Sequence, residues 1–526
     1  MFITTISKVY EYLKKHISLI EVVSLVLFIV FMPLISKVNF MQNDDWNRTT
    51  SVIRFLSGNF QLIQKTATTF YTQGNIGYFF SLIFGWKRLP FLTLLFSVFN
   101  FYVFSRILCD HFKLSKVKSC ILSLLLFFTP LHIYSSIGFM TENYTLFFIL
   151  LSIYFFLSYE KSQKSKHFIL FNVSGLLAFF SKQNGIIVQV ASISYFLIKK
   201  KYREALVQLG FILVTIGYYY FLFPRTDEMR DKDFLFENIL NRQYSFSLVY
   251  GMLLVLSSFI LPILFAFVLN AYFNNRNRIK LIAILLVSSV LCFVLLNKWF
   301  APGKISWEEY PYFENTFERT GFFPRSISGT KYQFRWNYDL FRYWDLTSKM
   351  LLSLTLPFLF LYRKKIINIY SISIVGYVFL MIFVKTFFDR YLLPLIPLAI
   401  LFFLYLKPIE IKLDKVFLIT TSVFIIFTVI LSSQMAMDFV LTNNYIWSKS
   451  ESLVKQGVAP NQIKATMSWD KLYGFSTENK YLFSFDDYIK NPDLKSKYIL
   501  EESKEIIYFS NIFISPVVYL YKSIRW

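Results

Sequence analysis

The chain has 526 residues, of which 55% are hydrophobic and 20% aromatic, and its formal net charge is +23. A soluble domain of this length does not need so much apolar side chain, whereas a bundle of helices in lipid does. The positive charge lies in short clusters between apolar runs, which is typical of a membrane protein and argues against a nucleic-acid-binding domain.

Apolar runs of roughly 16–22 residues recur along the chain, long enough to cross a hydrocarbon core of about 30 Å. They predict an all-α polytopic membrane protein with about thirteen transmembrane helices. The predicted spans are 19–36, 89–109, 119–135, 143–158, 168–181, 185–198, 205–223, 247–270, 280–297, 347–361, 369–386, 391–406 and 416–436.

Every second loop between these spans is basic, and the basic loops all fall on one side of the predicted bilayer. Because Lys and Arg are retained in cytoplasmic loops, this parity predicts a cytoplasmic N-terminus and a C-terminus on the opposite side. We expect a multi-pass protein of the bacterial cytoplasmic (inner) membrane, with the endoplasmic reticulum as second choice. The basic segments are 8–15, 113–118, 161–166, 199–203, 276–280, 363–365 and 407–415.

The long polar segments all fall on the outward side. They are the loops 37–88, 224–246 and 298–346 and the tail 437–526. Within the first loop, the stretch 48–60 has the pattern of an interfacial amphipathic helix. We therefore predict a transmembrane catalytic module over 1–436 and a small extracytoplasmic domain over 437–526, with function on the outer face, where the loops are long enough to carry a site.

The first candidate site residues are Asp44 and Asp45, which directly follow the first span. Adjacent carboxylates repel each other, so one of the two pKa values should be raised. Such a group suits a general base or a cation ligand. The alternative is a solvated loop that orients the first span.

Two further candidates stand in short outward loops. Glu142 follows Met140 and Thr141 at the outer end of the third and fourth spans, and its alternative is an interfacial glutamate facing water. Lys182 is a lone cation on the side that should be poor in cations, which suits an anion ligand at the interface. Its alternative is a lysine that extends its ammonium to solvent.

The last candidates are Arg390 and Tyr391, at the outer start of the twelfth span. Arg suits bidentate contact with phosphate oxygens, and the alternative is a salt bridge with Asp389. Taken together, the candidates place carboxylates and cations at one depth, the outer interface of the predicted bilayer. That set suits attack by an activated hydroxyl on a carbon bearing a phosphate leaving group.

In order along the chain, these motifs resemble the GT-C superfamily of membrane glycosyltransferases, and most closely the group of protein O-mannosyltransferases and the lipid A aminoarabinose transferase. The matching stretches are Asp44-Asp45, Met140-Thr141-Glu142, Lys182-Gln183-Asn184-Gly185 and Arg390-Tyr391-Leu392-Leu393-Pro394. Asp45 departs from the family's usual glutamate. Gln73-Gly74-Asn75-Ile76-Gly77 stands where the family has Pro-Pro-Leu, so the identity of the acceptor is not carried over.

The resemblance implies an inverting transfer of a sugar from a polyprenyl-phosphate-linked donor to a hydroxyl of a lipid, glycan or protein acceptor. It implies Asp44 as catalytic base, supported by Asp45 and Glu142, and a donor phosphate held by Lys182, Arg390 and Tyr391. Some relatives use a divalent cation, so Asp44, Asp45 and Glu142 are also candidate ligands of Mg or Mn.

Two other functions fit a membrane protein of this kind. A flippase or transporter for lipid-linked intermediates usually carries charges near the bilayer midplane and internal repeats, whereas the polar groups here cluster at the outer boundary. A polysaccharide polymerase or ligase also consumes lipid-linked saccharides. The early Asp44-Asp45 pair disfavours it.

Overall fold

The structure is a computed structural model. It describes residues 18–231, 240, 242–275, 277–299, 316–318, 321–322, 326–327, 330–331, 338–384, 387–406, 414–474, 476, 479–486, 497–508 and 516–524. The basic N-terminal segment and most of the predicted loop 298–346 lie outside these residues, as does part of loop 224–246.

Helices form most of the described chain. In order they are α1 (Leu19–Ile35), α2 (Asp45–Leu56), α3 (Tyr71–Phe84), α4 (Leu89–Asp110), α5 (Lys116–Phe127), α6 (Pro130–Ser135), α7 (Glu142–Ser162), α8 (Ser165–Phe179), α9 (Ile187–Ile198), α10 (Tyr202–Phe221), α11 (Asp227–Asp231), α12 (Arg242–Phe259), α13 (Leu261–Asn275), α14 (Ile279–Trp299), α15 (Tyr338–Phe358), α16 (Arg363–Ile366), α17 (Ile369–Ile382), α18 (Leu395–Tyr405), α19 (Asp414–Lys455) and α20 (Met467–Tyr473).

Helical residues coincide with every predicted span, so the prediction of a predominantly helical polytopic membrane protein is confirmed. By length and composition, five of the described helices can cross a membrane, or six if α12 and α13, which meet at 88°, are one span. Three shorter apolar helices accompany them: α1, α17 and the segment Gln183–Ile198. The total of thirteen crossings stays a prediction.

Local sequence explains where several helices begin and end. Pro130 cannot continue α5, and Thr129 accepts the N–H of His132, so a new helix, α6, begins there. Asn368 caps α17 by accepting the N–H groups of Tyr370 and Ser371. The break at Pro130 matters because the segment between α6 and α7 lies against the start of α2.

The first outward loop of the prediction holds two helices, α2 and α3. The helix expected over 48–60 is found as α2, but it does not lie freely on a surface. Asp45, Arg48, Val52 and Phe55 are all buried, because α2 packs against α3 and its first turn packs against residues 138–140.

Strands occur in two parts of the described chain. The hairpins β1–β2 (Phe317–Glu318, Gly321–Phe322) and β3–β4 (Ser326–Ile327, Thr330–Lys331) precede α15. After α19, the strands β5 (Ile463–Lys464), β6 (Tyr481–Ser484), β7 (Tyr498–Glu505) and β8 (Val517–Ser523) form one sheet in the order β5-β6-β8-β7. Helix α19 is continuous across residues 436 and 437, so helix and tail are joined without a loop at the predicted domain boundary.

Candidate active site

Asp44 and Asp45 lie where the chain enters α2. Asn43 has a left-handed backbone, with φ 44°, which asparagine adopts more readily than most residues. Asp44 precedes the first turn of α2 and Asp45 begins it. Carboxylates are favoured here because the unpaired N–H groups of a helix N-terminus carry partial positive charge.

The two neighbouring carboxylates have different surroundings. The Asp44 side chain is 30% exposed, whereas Asp45 is buried and accepts the backbone N–H of Phe139 at 2.6 Å. Burial raises the pKa of Asp45 to about 7; Asp44 and Glu142 add to the rise, while Arg48 and the Phe139 N–H oppose it. The pKa rise predicted for one member of the pair therefore falls on Asp45. A merely solvated loop is the wrong interpretation of this segment.

Gly138 makes room for the Asp45 carboxylate. A Cβ atom at position 138 would overlap Asp45 Oδ2 and would lie 2.6 Å from the side-chain oxygen of Gln42. A side chain at this position would therefore displace Asp45 from the N–H of Phe139. The position of the Asp45 carboxylate therefore depends on glycine at position 138.

Glu142 is the first residue of α7 and is buried, with 4% of its surface exposed. Its Oε1 accepts hydrogen bonds from Lys182 Nζ at 3.1 Å and from Arg390 Nε at 3.2 Å. The alternative of a glutamate facing water is therefore wrong. The basic segment 161–166 lies at the other end of α7, about 30 Å away at 1.5 Å per residue.

Lys182 lies in the turn after α8. A Cβ atom at Gly185 would overlap the backbone of Ala178, so the turn requires glycine there. The Lys182 ammonium bonds to Glu142 and lies 3.6 Å from the centroid of the Tyr391 ring. Burial lowers the pKa of this ammonium, and Glu142 opposes the shift. Lys182 does not extend to solvent, since it is 7% exposed.

Arg390 connects the two acidic positions. Its Nη2 lies 3.2 Å from Asp44 Oδ2 and its Nε lies 3.2 Å from Glu142 Oε1. The residue is buried, and its Nη1 has no hydrogen-bond partner among the described residues. Asp389 accepts the backbone N–H of Arg390 at 2.8 Å. The guanidinium is therefore held by Asp44 and Glu142, and the alternative of pairing with Asp389 is not what forms.

Asp389 instead connects this turn to the hairpin β1–β2. Its Oδ2 accepts the backbone N–H groups of Thr316 at 3.2 Å and Phe317 at 2.9 Å. The other strand of the hairpin places the ring of Phe322 at 5.4 Å from that of Tyr134. The hairpin is thereby held beside the turn that carries Arg390.

Two charged residues of the cluster do not appear among the candidates read from the sequence. Arg48 pairs with Asp45 at 3.3 Å and donates to the sulfur of Met140. The spacing i, i+3 from Asp45 to Arg48 on one helix is a signal that was available. Lys471, on α20, lies 3.8 Å from Asp44 Oδ1. Lys471 lies more than four hundred positions after Asp44 in the chain, and no local sequence pattern relates residues so far apart.

The predicted divalent-cation site at Asp44, Asp45 and Glu142 does not fit this arrangement. Each of the three carboxylates already bonds to a cationic side chain. Within the residues that the structure describes, no group of three or more His, Cys, Asp or Glu is placed to hold a metal ion. We therefore derive no step that involves Mg or Mn.

The cluster brings together every candidate read from the sequence. Asp44, Asp45, Glu142, Lys182, Arg390 and Tyr391 lie in one cluster, in which Asp44 has the most exposed carboxylate. In such a cluster, the accessible carboxylate can take part in proton transfer, and the buried cations beside it can bind an anion.

Comparisons with known proteins agree with the resemblance predicted from the motifs. Residues 78–223 match the family model described as dolichyl-phosphate-mannose-protein mannosyltransferase, so the resemblance to this group of membrane glycosyltransferases is confirmed. The match includes Glu142 and Lys182. No curated protein matches the chain.

One solved structure is similar. It is the crystal structure of ArnT from Cupriavidus metallidurans bound to undecaprenyl phosphate, at 12% sequence identity and a TM-score of 0.42. The similarity covers 84% of this chain and 72% of that one.

Proposed function

We propose that this protein is an inverting glycosyltransferase that moves a sugar from a polyprenyl-phosphate-linked donor to an acceptor hydroxyl. The observation that carries the proposal is the convergence of Asp44, Glu142, Lys182 and Arg390. Their contacts join residues up to 346 positions apart in the chain. Burying this many charges is costly unless they are paired, and such clusters are enriched at functional sites.

In the proposed reaction, Asp44 is the base. Its carboxylate is the most exposed of the three acidic groups, so an acceptor hydroxyl can reach it. The hydroxyl oxygen forms a bond to the anomeric carbon as its proton passes to Asp44. The bond between that carbon and the phosphate oxygen breaks, and the polyprenyl phosphate leaves with the electron pair. Attack from the face opposite the leaving group inverts the anomeric centre.

Lys182 and Arg390 are the proposed donor phosphate ligands. Among the residues that the structure describes, none bonds to Nη1 of Arg390, and a phosphate oxygen would satisfy this buried donor. Lys182 lies over the face of Tyr391, which supports the role of Tyr391 in holding that ammonium. Preorganised cations of this kind stabilise the negative charge that develops on the departing phosphate. Glu142 holds both cations, and Asp45 holds Arg48 beside them.

We further propose that the site faces away from the cytoplasm. The cluster lies at the N-terminal end of α7, whereas the basic segment 161–166 lies at its C-terminal end, which agrees with the charge parity of the loops. In this topology the chain crosses the bacterial cytoplasmic membrane about thirteen times, its N-terminus is cytoplasmic, and the tail 437–526 is an extracytoplasmic domain. The contact of Lys471 with Asp44 supports a position of this tail beside the acceptor.

The decisive experiment compares Asp44→Asn with the wild-type protein in lipid nanodiscs. A panel of undecaprenyl-phosphate-linked sugars is supplied with membrane extract as acceptor source, and release of undecaprenyl phosphate is measured. We expect release by the wild type and loss of at least roughly a hundredfold in Asp44→Asn, as for removal of a general base. Asp110→Asn, at the other end of the bundle, is the matched control and should retain activity.

A second measurement separates catalysis from binding. Asp44→Asn should still bind undecaprenyl phosphate, whereas Lys182→Ala and Arg390→Ala should bind it roughly tenfold or more weakly, since each removes a charged hydrogen bond. Full activity of Asp44→Ala would contradict the assignment of the base. Passage of intact lipid-linked sugar across the bilayer without release of undecaprenyl phosphate would favour a flippase instead.

A further inference from the structure

The hydroxyl group of Tyr377 lies between the two turns that carry Lys182 and Arg390. Tyr377 is on α17 and is fully buried. Its hydroxyl accepts a hydrogen bond from Asn184 Nδ2 at 2.6 Å and donates one to the backbone carbonyl of Tyr391. A hydroxyl has one proton to donate and lone pairs to accept, so both bonds form at once.

Each partner of this hydroxyl belongs to a turn with a cation. Asn184 is two residues after Lys182 in the turn that precedes α9, and Tyr391 directly follows Arg390. The Tyr391 ring also faces the Lys182 ammonium at 3.6 Å. Besides the Glu142 carboxylate that Lys182 and Arg390 share, the Tyr377 hydroxyl on α17 therefore forms a further connection between the two turns.

We propose that Tyr377 is a positioning residue that sets the separation of Lys182 and Arg390 and thereby the affinity for the donor phosphate. This inference rests on the proposed function. Tyr377 acts through Asn184 and the Tyr391 carbonyl and is not a catalytic residue, because both of its hydroxyl bonds are used within the protein. Small displacements of groups that bind one ligand together reduce affinity steeply, since preorganisation is lost.

The chain offers a matched control on the same helix. Tyr370 is also buried on α17, seven residues before Tyr377, and its ring packs against those of Phe112 and Tyr405. Tyr370→Phe and Tyr377→Phe remove the same atom from the same helix, but only the second removes the connection between the two turns. Asn184→Ala removes one half of that connection from the other side.

The experiment measures the Kd of undecaprenyl phosphate for the full-length protein in nanodiscs, together with its thermal unfolding. We expect Tyr377→Phe and Asn184→Ala to raise the Kd roughly tenfold, and Tyr370→Phe to change it less than twofold. Because Tyr377→Phe already removes the hydrogen bond that Asn184 makes, the double variant Asn184→Ala/Tyr377→Phe should bind no more than about twofold more weakly than Tyr377→Phe alone.

A wild-type Kd in Tyr377→Phe would overturn the proposal, and so would equal losses in Tyr377→Phe and Tyr370→Phe. Loss of thermal stability in Tyr377→Phe with no change in Kd would also overturn it, because Tyr377 would then have a structural role only. Failure of the wild-type protein to bind undecaprenyl phosphate is a different result. It would refute the proposed donor class, and the role of Tyr377 with it.

Discussion

Ion pairs at the two ends of α7 differ in burial and in sequence separation. At the Glu142 end, the side chains of Glu142 and Arg390 are 3% and 1% exposed, although that of Asp44 is 30% exposed. The contacts of Arg390 with Glu142 and Asp44 span 248 and 346 positions of the chain. At the Glu160 end, Arg106 and Asp110 are four residues apart on one helix, with side chains 39% and 31% exposed. Lys201 and Glu160 are also partly exposed.

The difference separates two uses of charge. Exposed ion pairs near the basic segments cost little to form and contribute little to the free energy of unfolding, since water solvates either partner alone. A buried pair loses the hydration of both charges and is strongly destabilised when one partner is removed. Of the two ends, only the Glu142 end holds its charges in a fixed, buried arrangement, as a binding site for an anion requires. The comparison can be tested by changing equivalent groups at the two ends.

The largest effect is expected for Glu142→Gln. The substitution leaves the Lys182 and Arg390 cations buried without their shared carboxylate, so we expect a loss of about 3–5 kcal/mol in the free energy of unfolding. Glu160→Gln is the matched variant at the opposite end of α7 and should cost less than about 1 kcal/mol. Thermal and denaturant unfolding of the purified protein in detergent measures both. Equal losses would show that burial does not distinguish the two ends.

The next effect is expected for Gly138→Ala. The added methyl group would overlap the Asp45 carboxylate, so repacking should cost about 1–3 kcal/mol and should weaken activity through displacement of Asp45. Gly210→Ala on α10 is the control, because a Cβ there meets no atom within 4 Å. It should be neutral or stabilise by up to about 1 kcal/mol, since alanine favours a helix. Unchanged stability and activity in Gly138→Ala would contradict the close approach of Asp45 to Gly138.

A smaller effect is expected from pH. The pKa of Asp45 is raised to about 7 by burial, so the folded protein favours the neutral acid. The resulting stability is present below pH 4 and is lost as the pH rises through 7, amounting to about 1 kcal/mol between pH 6 and 8. Unfolding measured across this range should show the slope in the wild type and a flatter profile in Asp45→Asn. Parallel profiles would assign the slope to another group.

The smallest effect is expected for Arg106→Gln. This pair with Asp110 is exposed, so its loss should change stability by about 0.2–1 kcal/mol. The affinity for undecaprenyl phosphate should stay within twofold of the wild type, because the pair lies at the far end of α7 from Glu142. A weakened affinity in this variant would mean that the two ends are coupled and that the comparison fails.

Much of the helical architecture follows from the sequence alone. Apolar runs place helices at every predicted span, because the length of a run and its lack of charge decide locally whether a segment suits lipid. The residues of the candidate site could also be identified from the sequence. Asp44, Glu142, Lys182 and Arg390 stand at the ends of such runs, where a charge on the side poor in cations, or a carboxylate beside lipid, is conspicuous in the sequence itself.

Other features depended on contacts that no local pattern encodes. The sequence does not tell Asp44 from Asp45, yet burial against Phe139 and Gly138 raises the pKa of Asp45 to about 7, whereas the side chain of Asp44 stays partly exposed. Lys471 and Tyr377 carry no motif, and they join the cluster only because the fold places α20 and α17 beside it.

The sequence by itself therefore determined the class of protein, the positions of its helices and the residue types of its site. The tertiary structure decided which carboxylate is partly exposed, which cations share Glu142, and that Asp44, Asp45 and Glu142 are each paired with a cationic side chain. The physical reason is the separation along the chain over which each effect acts. Hydrophobicity and capping act over a few residues, whereas the electrostatics of a buried site depend on which distant groups exclude water from it.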